Sequence, residues 1–311
     1  MASFSVSDAA GAGFQLIGRR PFSIFAWGLF AIVVGVLPVM GLMGASMGPM
    51  VDLMRETQLH PQTPPDPAAF THVYSHMMFV NPLLQLLSMA VRTMLAAAVF
   101  RAVLEPRNGG FAYLRIGMQE IWILLVTLVE TILICIGFVF VVLAAVAIAA
   151  VLHQTLDTAV AVIATVALGF AVFLGLIWVL LRLSMALPMS FEDRKFRLFE
   201  SWAFTRGQAG NLFLLALLMF VILIVVEMVV LGVLAVPAMV FVAPHMTSPD
   251  AMPAMMEAFF KQSPQAMLQS AGPAIAVCVI VFSCLIGALH AIFLAPWAAA
   301  YQMLKPVAQA A

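Results

Sequence analysis

The chain has 311 residues, of which 64% are hydrophobic and 9% are charged, and its formal net charge is zero. Soluble domains have about 25% charged residues, so this composition excludes a water-soluble globular fold. A net charge of zero also gives no basic field for nucleic acid, and no nucleic-acid partner is expected.

Six long apolar stretches follow one another along the chain. A bilayer core about 30 Å thick needs roughly 20 apolar residues in a helix, whereas barrel strands alternate in polarity over about 10 residues. The run from Ile121 to Leu152 does not alternate, and Glu130 is the one charge in it. We therefore predict an all-α polytopic transmembrane bundle that forms a single domain over residues 1–311, with spans near 22–43, 80–104, 120–151, 159–187, 212–243 and 273–300.

Basic residues mark one side of this bundle. Short segments rich in Lys and Arg stay in the cytoplasm. Most basic residues lie before span one, between spans two and three, between spans four and five, or after span six. They are Arg19, Arg20, Arg101, Arg107, Arg115, Arg194, Lys195, Arg197, Arg206 and Lys305. The opposite loops contain only Arg55 and Lys261. The distribution predicts a multi-pass protein of a bacterial-type inner membrane, with both termini cytoplasmic.

The spans also suggest an internal repeat. Each odd span is preceded by an amphipathic segment that ends in glycine, namely Phe14–Gly18, Tyr113–Gly117 and Ala203–Gly207, and each even span has a basic residue at one equivalent position: Arg92, Arg182 and His290. Both Arg92 to Arg182 and Gly117 to Gly207 are 90 residues apart. The pattern predicts three parallel repeats, each an interfacial helix followed by a helical hairpin. The alternative is chance alignment of apolar, low-complexity sequence.

The junction between spans four and five carries a resemblance to a known family. The motifs are Arg182-Leu-Ser-Met-Ala-Leu-Pro188, Phe199-Glu-Ser-Trp202, Thr205-Arg-Gly207 and, near the end, Pro296-Trp-Ala-Ala-Ala-Tyr301. They resemble the six-span membrane domain of glycerophosphodiester phosphodiesterases and related uncharacterised bacterial integral membrane proteins. In that family the phosphodiesterase chemistry belongs to a separate soluble barrel, which no segment here can form. The resemblance therefore implies a stand-alone membrane module and transfers no catalytic residue.

Ionisable residues inside the spans form a candidate intramembrane polar site: Arg92, Glu130, Arg182, Glu227 and His290. Charges at membrane depth are costly and usually face the bundle interior or water. One interpretation is a polar track that carries an ion, a proton or a lipid headgroup. The other is an internal ion pair that sets helix register, with Arg92 and Glu130 as the first pair to test and Arg182 reaching the interface. Gly169 and Gly175 in span four suit either close helix packing or a local break of the helix, and Gly44 with Gly48 forms a G-x-x-x-G pair at the outer edge of span one.

The two long outer loops have helix-start signals at Asp66-Pro67 and Ser248-Pro249, so each is predicted to hold a short surface helix. They also contain soft side chains that suit Cu(I), including His60, His72, His76, Met77, Met78, His245, Met246, Met255 and Met256. Interfacial packing accounts for the same residues, and no metal site is predicted. Cys135, Cys278 and Cys284 lie inside spans and are interpreted as packing residues.

The sequence contains no Walker loop, dinucleotide-binding glycine pattern, HExxH, CxxC or Ser/His/Asp cluster. We predict a non-enzymatic membrane scaffold or module in envelope or lipid-related processes, without a cofactor. Its expected partners are membrane lipids and either another membrane protein or further copies of itself. The alternative is a small-solute or ion transporter or channel that uses the intramembrane charges. A third interpretation, a lipid-modifying enzyme, requires Glu130 or Glu227 to act with His290.

Overall fold

A computed structural model of the chain describes residues 5–42, 67–107, 110–242 and 264–305. The secondary structure of these residues is helical, without strands, which confirms the all-α prediction. The helices are α1 (Val6–Arg19), α2 (Pro21–Leu42), α3 (Pro67–Leu104), α4 (Met118–Thr155), α5 (Thr158–Leu183), α6 (Ala186–Asp193), α7 (Glu200–Phe204), α8 (Ala209–Val242) and α9 (Pro264–Leu304).

Six helical segments in the described ranges are long and apolar enough to cross a membrane. They are Pro21–Leu42, Met78–Leu104, Met118–Thr155, Thr158–Asp193, Ala209–Gly232 and Ala276–Leu304, and each overlaps one predicted span. The chain is therefore a multi-pass membrane protein. Several helices exceed the roughly 20 residues that a bilayer requires, so they must tilt or extend beyond the hydrocarbon.

The hairpin of α4 and α5 shows most clearly that the surroundings are apolar. None of the most apolar 18-residue window of α4 is buried inside the chain. Phe140 is 69% exposed and Ile163 is 70% exposed, a pattern that water would oppose and lipid favours. The Thr131 hydroxyl of this hairpin is satisfied by its own helix, because it donates to the carbonyl oxygen of Thr127 (2.7 Å). Lipid cannot supply such a hydrogen bond, and the helix backbone does.

The first outer loop differs from the prediction. A helix begins at Pro67 as expected, but it is not a separate surface helix, because α3 continues without interruption from Pro67 to Leu104. Pro82 lies inside α3 and lacks the N–H that would continue the hydrogen-bond pattern, yet it does not end the helix. The sequence from Met77 to Leu87 is mostly apolar on both sides of this proline, with Asn81 and Gln85 as its polar residues, and the span and the segment before it form one helix. The predicted helix at Ser248-Pro249 lies outside the described residues.

The three segments before the odd spans do not share one conformation. A 14-residue helix, α1, precedes span one. Residues 110–117 before span three form turns and extended backbone, with Ala112 and Tyr113 at positive φ. The five-residue helix α7 precedes span five. The predicted interfacial helix is therefore absent from residues 110–117, and the threefold repeat stays a prediction from the sequence.

The chain divides into two compact units. Unit 1 consists of Met1–Ala12, Met89–Ala216 and Leu294–Ala311, and unit 2 consists of Gly13–Ser88 and Leu217–Phe293. The main core of unit 1 brings together residues from α3, α4, α6 and α9: Ala96, Ala97, Phe100, Ile123, Phe191 and Ala298. The rings of Phe100 and Phe191 meet edge to face, with centroids 6.0 Å apart. A second cluster joins Val126, Ala186 and Leu198.

Within unit 2, glycine allows helices to pack backbone to backbone. A Cβ atom on Gly28 of α2 would overlap the backbone carbonyl of Ser283 in α9, and a Cβ atom on Gly287 would overlap the carbonyl of Ile24. Gly13 of α1 lies against the backbone of Ile292 in the same way. Such close approach is a common way for membrane helices to gain van der Waals contact.

Candidate functional site

The five predicted site residues fall into both units. Arg92, Glu130 and Arg182 belong to unit 1, whereas Glu227 and His290 belong to unit 2. Glu227 is exposed on α8. His290 is half-buried on α9, and its Nδ1–H donates to the carbonyl oxygen of Ile286 (2.8 Å). The donation to its own helix satisfies one imidazole nitrogen and orients the ring.

Arg92 and Glu130 lie at matching depth on α3 and α4. Arg92 is twelve residues from the end of α3 at Leu104, and Glu130 is twelve residues from the start of α4 at Met118. Each is therefore about 18 Å along its helix. Arg92 is exposed and Glu130 is half-buried. In the described part of the chain no ion pair joins them, so the structure does not bring together the pair that the sequence put first.

Arg182, near the end of α5, is held by two indole rings. Its guanidinium carbon lies 5.3 Å from the ring centroid of Trp178 and 5.9 Å from that of Trp202, and the two rings meet edge to face with centroids 4.9 Å apart. The rings are 45% and 41% exposed. Each ring face attracts the cation through its quadrupole. We call Arg182, Trp178 and Trp202 the arginine cradle.

The backbone beneath the arginine cradle is fixed by buried hydroxyls. The last carbonyl oxygens of a helix lack partners within it. Ser201 supplies one, because its hydroxyl donates to the carbonyl oxygen of Arg182 (2.7 Å), and the Thr205 hydroxyl also reaches this oxygen (3.4 Å). Both hydroxyl-bearing residues are fully buried. Ser201 of α7 and Thr205, which directly follows α7, therefore hold Trp202 against α5.

Among the described residues, no acidic side chain forms an ion pair with Arg182 of the arginine cradle. Nε and Nη1 of Arg182 are buried and have no hydrogen-bond partner among the described residues, which leaves Nη2 as the nitrogen that an outside group can reach. Asp193 and Glu200, the acids on the segment between α5 and the end of α7 that pair with an arginine, both pair with Arg197, at 3.1 and 3.4 Å. A guanidinium in this state can donate hydrogen bonds to an anionic oxygen from outside the chain.

A buried polar network that the sequence did not predict lies at the ends of α3 and α4. Arg101 is 1% exposed, pairs with the carboxylate of Glu120 and donates to the backbone oxygen of Tyr113. Its Nη2 also donates to Oε1 of Gln119 (3.3 Å). The guanidinium carbon lies 5.5 Å from the ring centroid of Phe191. We call Arg101, Gln119 and Glu120 the buried triad.

Further hydrogen bonds extend from the buried triad to neighbouring segments. The side-chain amide of Gln119 donates to Oε1 of Glu105 (3.0 Å) and to the carbonyl oxygen of Phe191 (3.3 Å). In the same unit, Lys305 at the end of α9 pairs with Glu192 of α6 (2.7 Å). The network thus ties the ends of α3 and α4 to α6. The signal available in the sequence was a basic residue three positions before the end of an apolar span, followed by Gln-Glu at the start of the next.

The described residues contain no group of three or more His, Cys, Asp or Glu side chains that could hold a metal ion. Cys135, Cys278 and Cys284 are free thiols. The side chains of the proposed Cu(I) ligands in the outer loops lie outside the described residues, apart from Met78, which is exposed. Gly44 and Gly48 also lie outside the described residues.

Comparison of the chain with protein-family models, with curated proteins and with solved structures found no match. The geometry of the described residues therefore carries the functional argument by itself.

Proposed function

We propose that the chain is a non-enzymatic module of a bacterial-type inner membrane that works by holding anionic lipid at its cytoplasmic face, as a scaffold in envelope or lipid-related processes. The arginine cradle is the observation that supports this proposal. It combines an arginine that has no carboxylate partner in the described ranges with two half-exposed indole rings. Tryptophan prefers the headgroup level of a bilayer, where lipid phosphates are available to a guanidinium.

The resemblance to the membrane domain of glycerophosphodiester phosphodiesterases agrees with this role, because that domain is the non-catalytic part of those proteins. Two of the motifs that carry the resemblance, Arg182–Pro188 and Phe199–Trp202, include two members of the arginine cradle. The buried triad supports a structural rather than a catalytic role for the neighbouring charges, since Arg101 and Glu120 pair with each other and are only 1% and 5% exposed. Nε of Arg101 and Oε2 of Glu120 have no hydrogen-bond partner among the described residues.

The lipid proposal predicts the effect of removing the cradle's charge. In Arg182→Gln, retention of phosphatidylglycerol through detergent purification should fall about tenfold relative to phosphatidylcholine, because a charge-assisted hydrogen bond contributes about 1.5 kcal/mol or more. The measurement is native mass spectrometry of bound lipid. Arg197→Gln is the matched control, because Arg197 already pairs within the chain. Equal retention in wild type and Arg182→Gln would refute the proposal.

The orientation is tested separately. With both termini cytoplasmic, green fluorescent protein fused after Ala311 should fluoresce in cells, and alkaline phosphatase at the same position should be inactive. The physical reason is that basic flanking segments resist translocation. The reciprocal result, an active phosphatase and a dark fluorescent protein, would reverse the proposed topology and move the arginine cradle to the opposite face.

A transporter or channel is the competing proposal, and one observation favours it: Arg92 and Glu130 lie at the same depth without pairing with each other. Solute flux through Arg92→Gln, Glu130→Gln and the double variant separates the two functions. Equal loss of flux in all three supports a working site, whereas recovery in the double variant supports a structural ion pair. A scaffold shows no flux that depends on either residue.

A further inference from the structure

We propose that two copies of the chain associate in the membrane through reciprocal ion pairs, Arg92 of each copy with Glu130 of the other. A second copy of the chain would then be the partner of the proposed scaffold. This association rests on the proposed function only in assuming that the scaffold works by lateral association. It is carried by three observations: the matching depth of the two charges, their position at the edge of a buried core, and their lack of a mutual ion pair in the described chain.

The depth of the two residues agrees by two independent measures. Counted from the helix ends, each is twelve residues in. Counted from the core of unit 1, Arg92 is eight residues beyond Phe100 and Glu130 is seven beyond Ile123, and those two residues lie in one cluster. The difference of one residue corresponds to about 1.5 Å. A cation and an anion therefore lie at one level on neighbouring helices.

Arg92 and Glu130 lie where the buried faces of α3 and α4 end. Arg92 lies on the same row of α3 as Ala96 and Phe100, at spacings of four residues, and both of those are buried. On α4, Glu130 shares a face with Ile123 and Val126, which are fully buried. Beyond this core, Arg92 is exposed and Glu130 is half-buried. The surface that follows the core thus presents one positive and one negative group at membrane depth.

An unpaired charge inside the hydrocarbon is unfavourable, so each of these groups requires a partner or water. A two-fold axis along the membrane normal relates two copies of a membrane protein without changing the depth of any residue. An isologous contact around this axis is self-complementary: if residue i of one copy meets residue j of the other, then j also meets i. The contact can neutralise both charges of both copies only if the cation and the anion lie at equal depth. Arg92 and Glu130 meet this condition.

The surroundings of Glu130 suit such a contact. Leu133, three residues beyond Glu130 and on the same face of α4, is 43% exposed, and Ile134 beside it is half-buried. Apolar side chains around the two ion pairs would pack against their counterparts and exclude lipid. No other charge lies between Ile121 and Leu152 to compete for the arginine of the second copy.

Charge reversal distinguishes pairing between copies from pairing within one. Arg92→Glu and Glu130→Arg are expressed with two different affinity tags, alone and together, and co-purification of the two tags is measured from membranes. Each variant expressed by itself should lose association at least tenfold, because like charges then face each other twice. Co-expression of the two variants should restore it, because every contact between an R92E copy and an E130R copy joins opposite charges.

An intrachain pair gives the opposite result for the mixture, since each copy then contains two like charges that no partner corrects. Failure of the mixture to associate, or unchanged association in the single variants, would overturn the proposal. Arg115→Glu is the matched control: Arg115 is 49% exposed and lies outside the spans, so its reversal should leave co-purification unchanged.

A milder pair of variants covers the case in which charge reversal prevents folding. Arg92→Gln and Glu130→Gln each remove both ion pairs from their own homodimer, whereas a mixture keeps one of the two. The mixture should therefore associate more than either variant alone and less than wild type, and equal association of all three would overturn the proposal. Phosphatidylglycerol retention, measured on the same preparations, tests the lipid role independently: loss of association with retained lipid contradicts only this inference.

Discussion

Replacement of Gly28 by alanine should destabilise the protein by about 3 kcal/mol or more, which is a large effect for one added methyl group. Overpacking in a close-packed interior usually costs about 1–3 kcal/mol. The cost here exceeds this range because the new Cβ would overlap the backbone carbonyl of Ser283, and a backbone cannot move aside as a flexible side chain can. Gly287→Ala should have a similar effect, since its Cβ would meet the carbonyl of Ile24.

The measurement is the midpoint of unfolding by SDS in mixed micelles, followed by tryptophan fluorescence. Gly175→Ala provides the matched control, because Gly175 lies in the middle of α5 and no atom outside its own helix lies within 4 Å of the added Cβ. Alanine is a better helix former than glycine by about 1 kcal/mol, so this control should be neutral or stabilising. Opposite signs at Gly28 and Gly175 would identify the close contact as the cause, whereas equal small effects would contradict the crossing of α2 and α9.

Replacement of Arg101 by methionine should destabilise the protein by about 3–5 kcal/mol. Removing one partner of a buried ion pair leaves the other charge without compensation in a medium that solvates it poorly. Glu120 would lose its arginine while remaining 5% exposed, and Gln119 and the carbonyl of Tyr113 would each lose a donor. Methionine retains most of the apolar volume, so the loss reports on charge more than on packing.

The double variant Arg101→Met with Glu120→Met is the informative comparison for the buried triad. Apolar replacement of a complete buried pair is often close to neutral. The double variant should therefore recover most of the stability that the single variant loses, in the same SDS titration. Arg197→Met is the control, because Arg197 is half-exposed and its ion pairs should contribute about 1 kcal/mol or less. A double variant as unstable as Arg101→Met alone would show that the loss does not come from the orphaned carboxylate.

The intramembrane charges show what can be predicted from the sequence and what cannot. Arg92, Glu130, Arg182, Glu227 and His290 were recognisable because a charge within an apolar run is rare and costly. Their neighbours in space were not recognisable. Residue spacing along a helix predicts which side chains share a face, but not which other helix covers that face. The contact of Arg182 with Trp202 depends on a turn of the chain after α6, at Arg194 in the left-handed conformation.

The buried triad is a second feature that the sequence does not predict. Arg101 counts as one more basic residue at the flank of a span, where arginine usually reaches the headgroups. The structure buries it, because α6 brings Phe191 over its guanidinium and Glu120 lies within hydrogen-bonding distance. Burial of a charge depends on segments distant in sequence, here residues 90 positions apart.

Glycine gave the least reliable prediction. Gly169 and Gly175 were candidates for close packing, yet a Cβ on either would meet no atom of another element. Gly13, Gly28 and Gly287, which were not singled out, allow backbone contact between helices. A glycine in an apolar helix has the same appearance in sequence in both cases, and only the crossing point of two helices distinguishes them.

The sequence by itself determined that this chain is a helical, multi-pass membrane protein with six helices long and apolar enough to cross a bilayer. Hydrophobic length and the scarcity of charge are local properties, which each helix shows independently of its neighbours. The tertiary structure alone decided which polar groups are buried together, which arginines form no ion pair with the rest of the described chain and where two backbones touch. These depend on the positions of helices relative to one another. In lipid, those positions follow from packing and hydrogen bonding between distant segments, and no local pattern of residues encodes them.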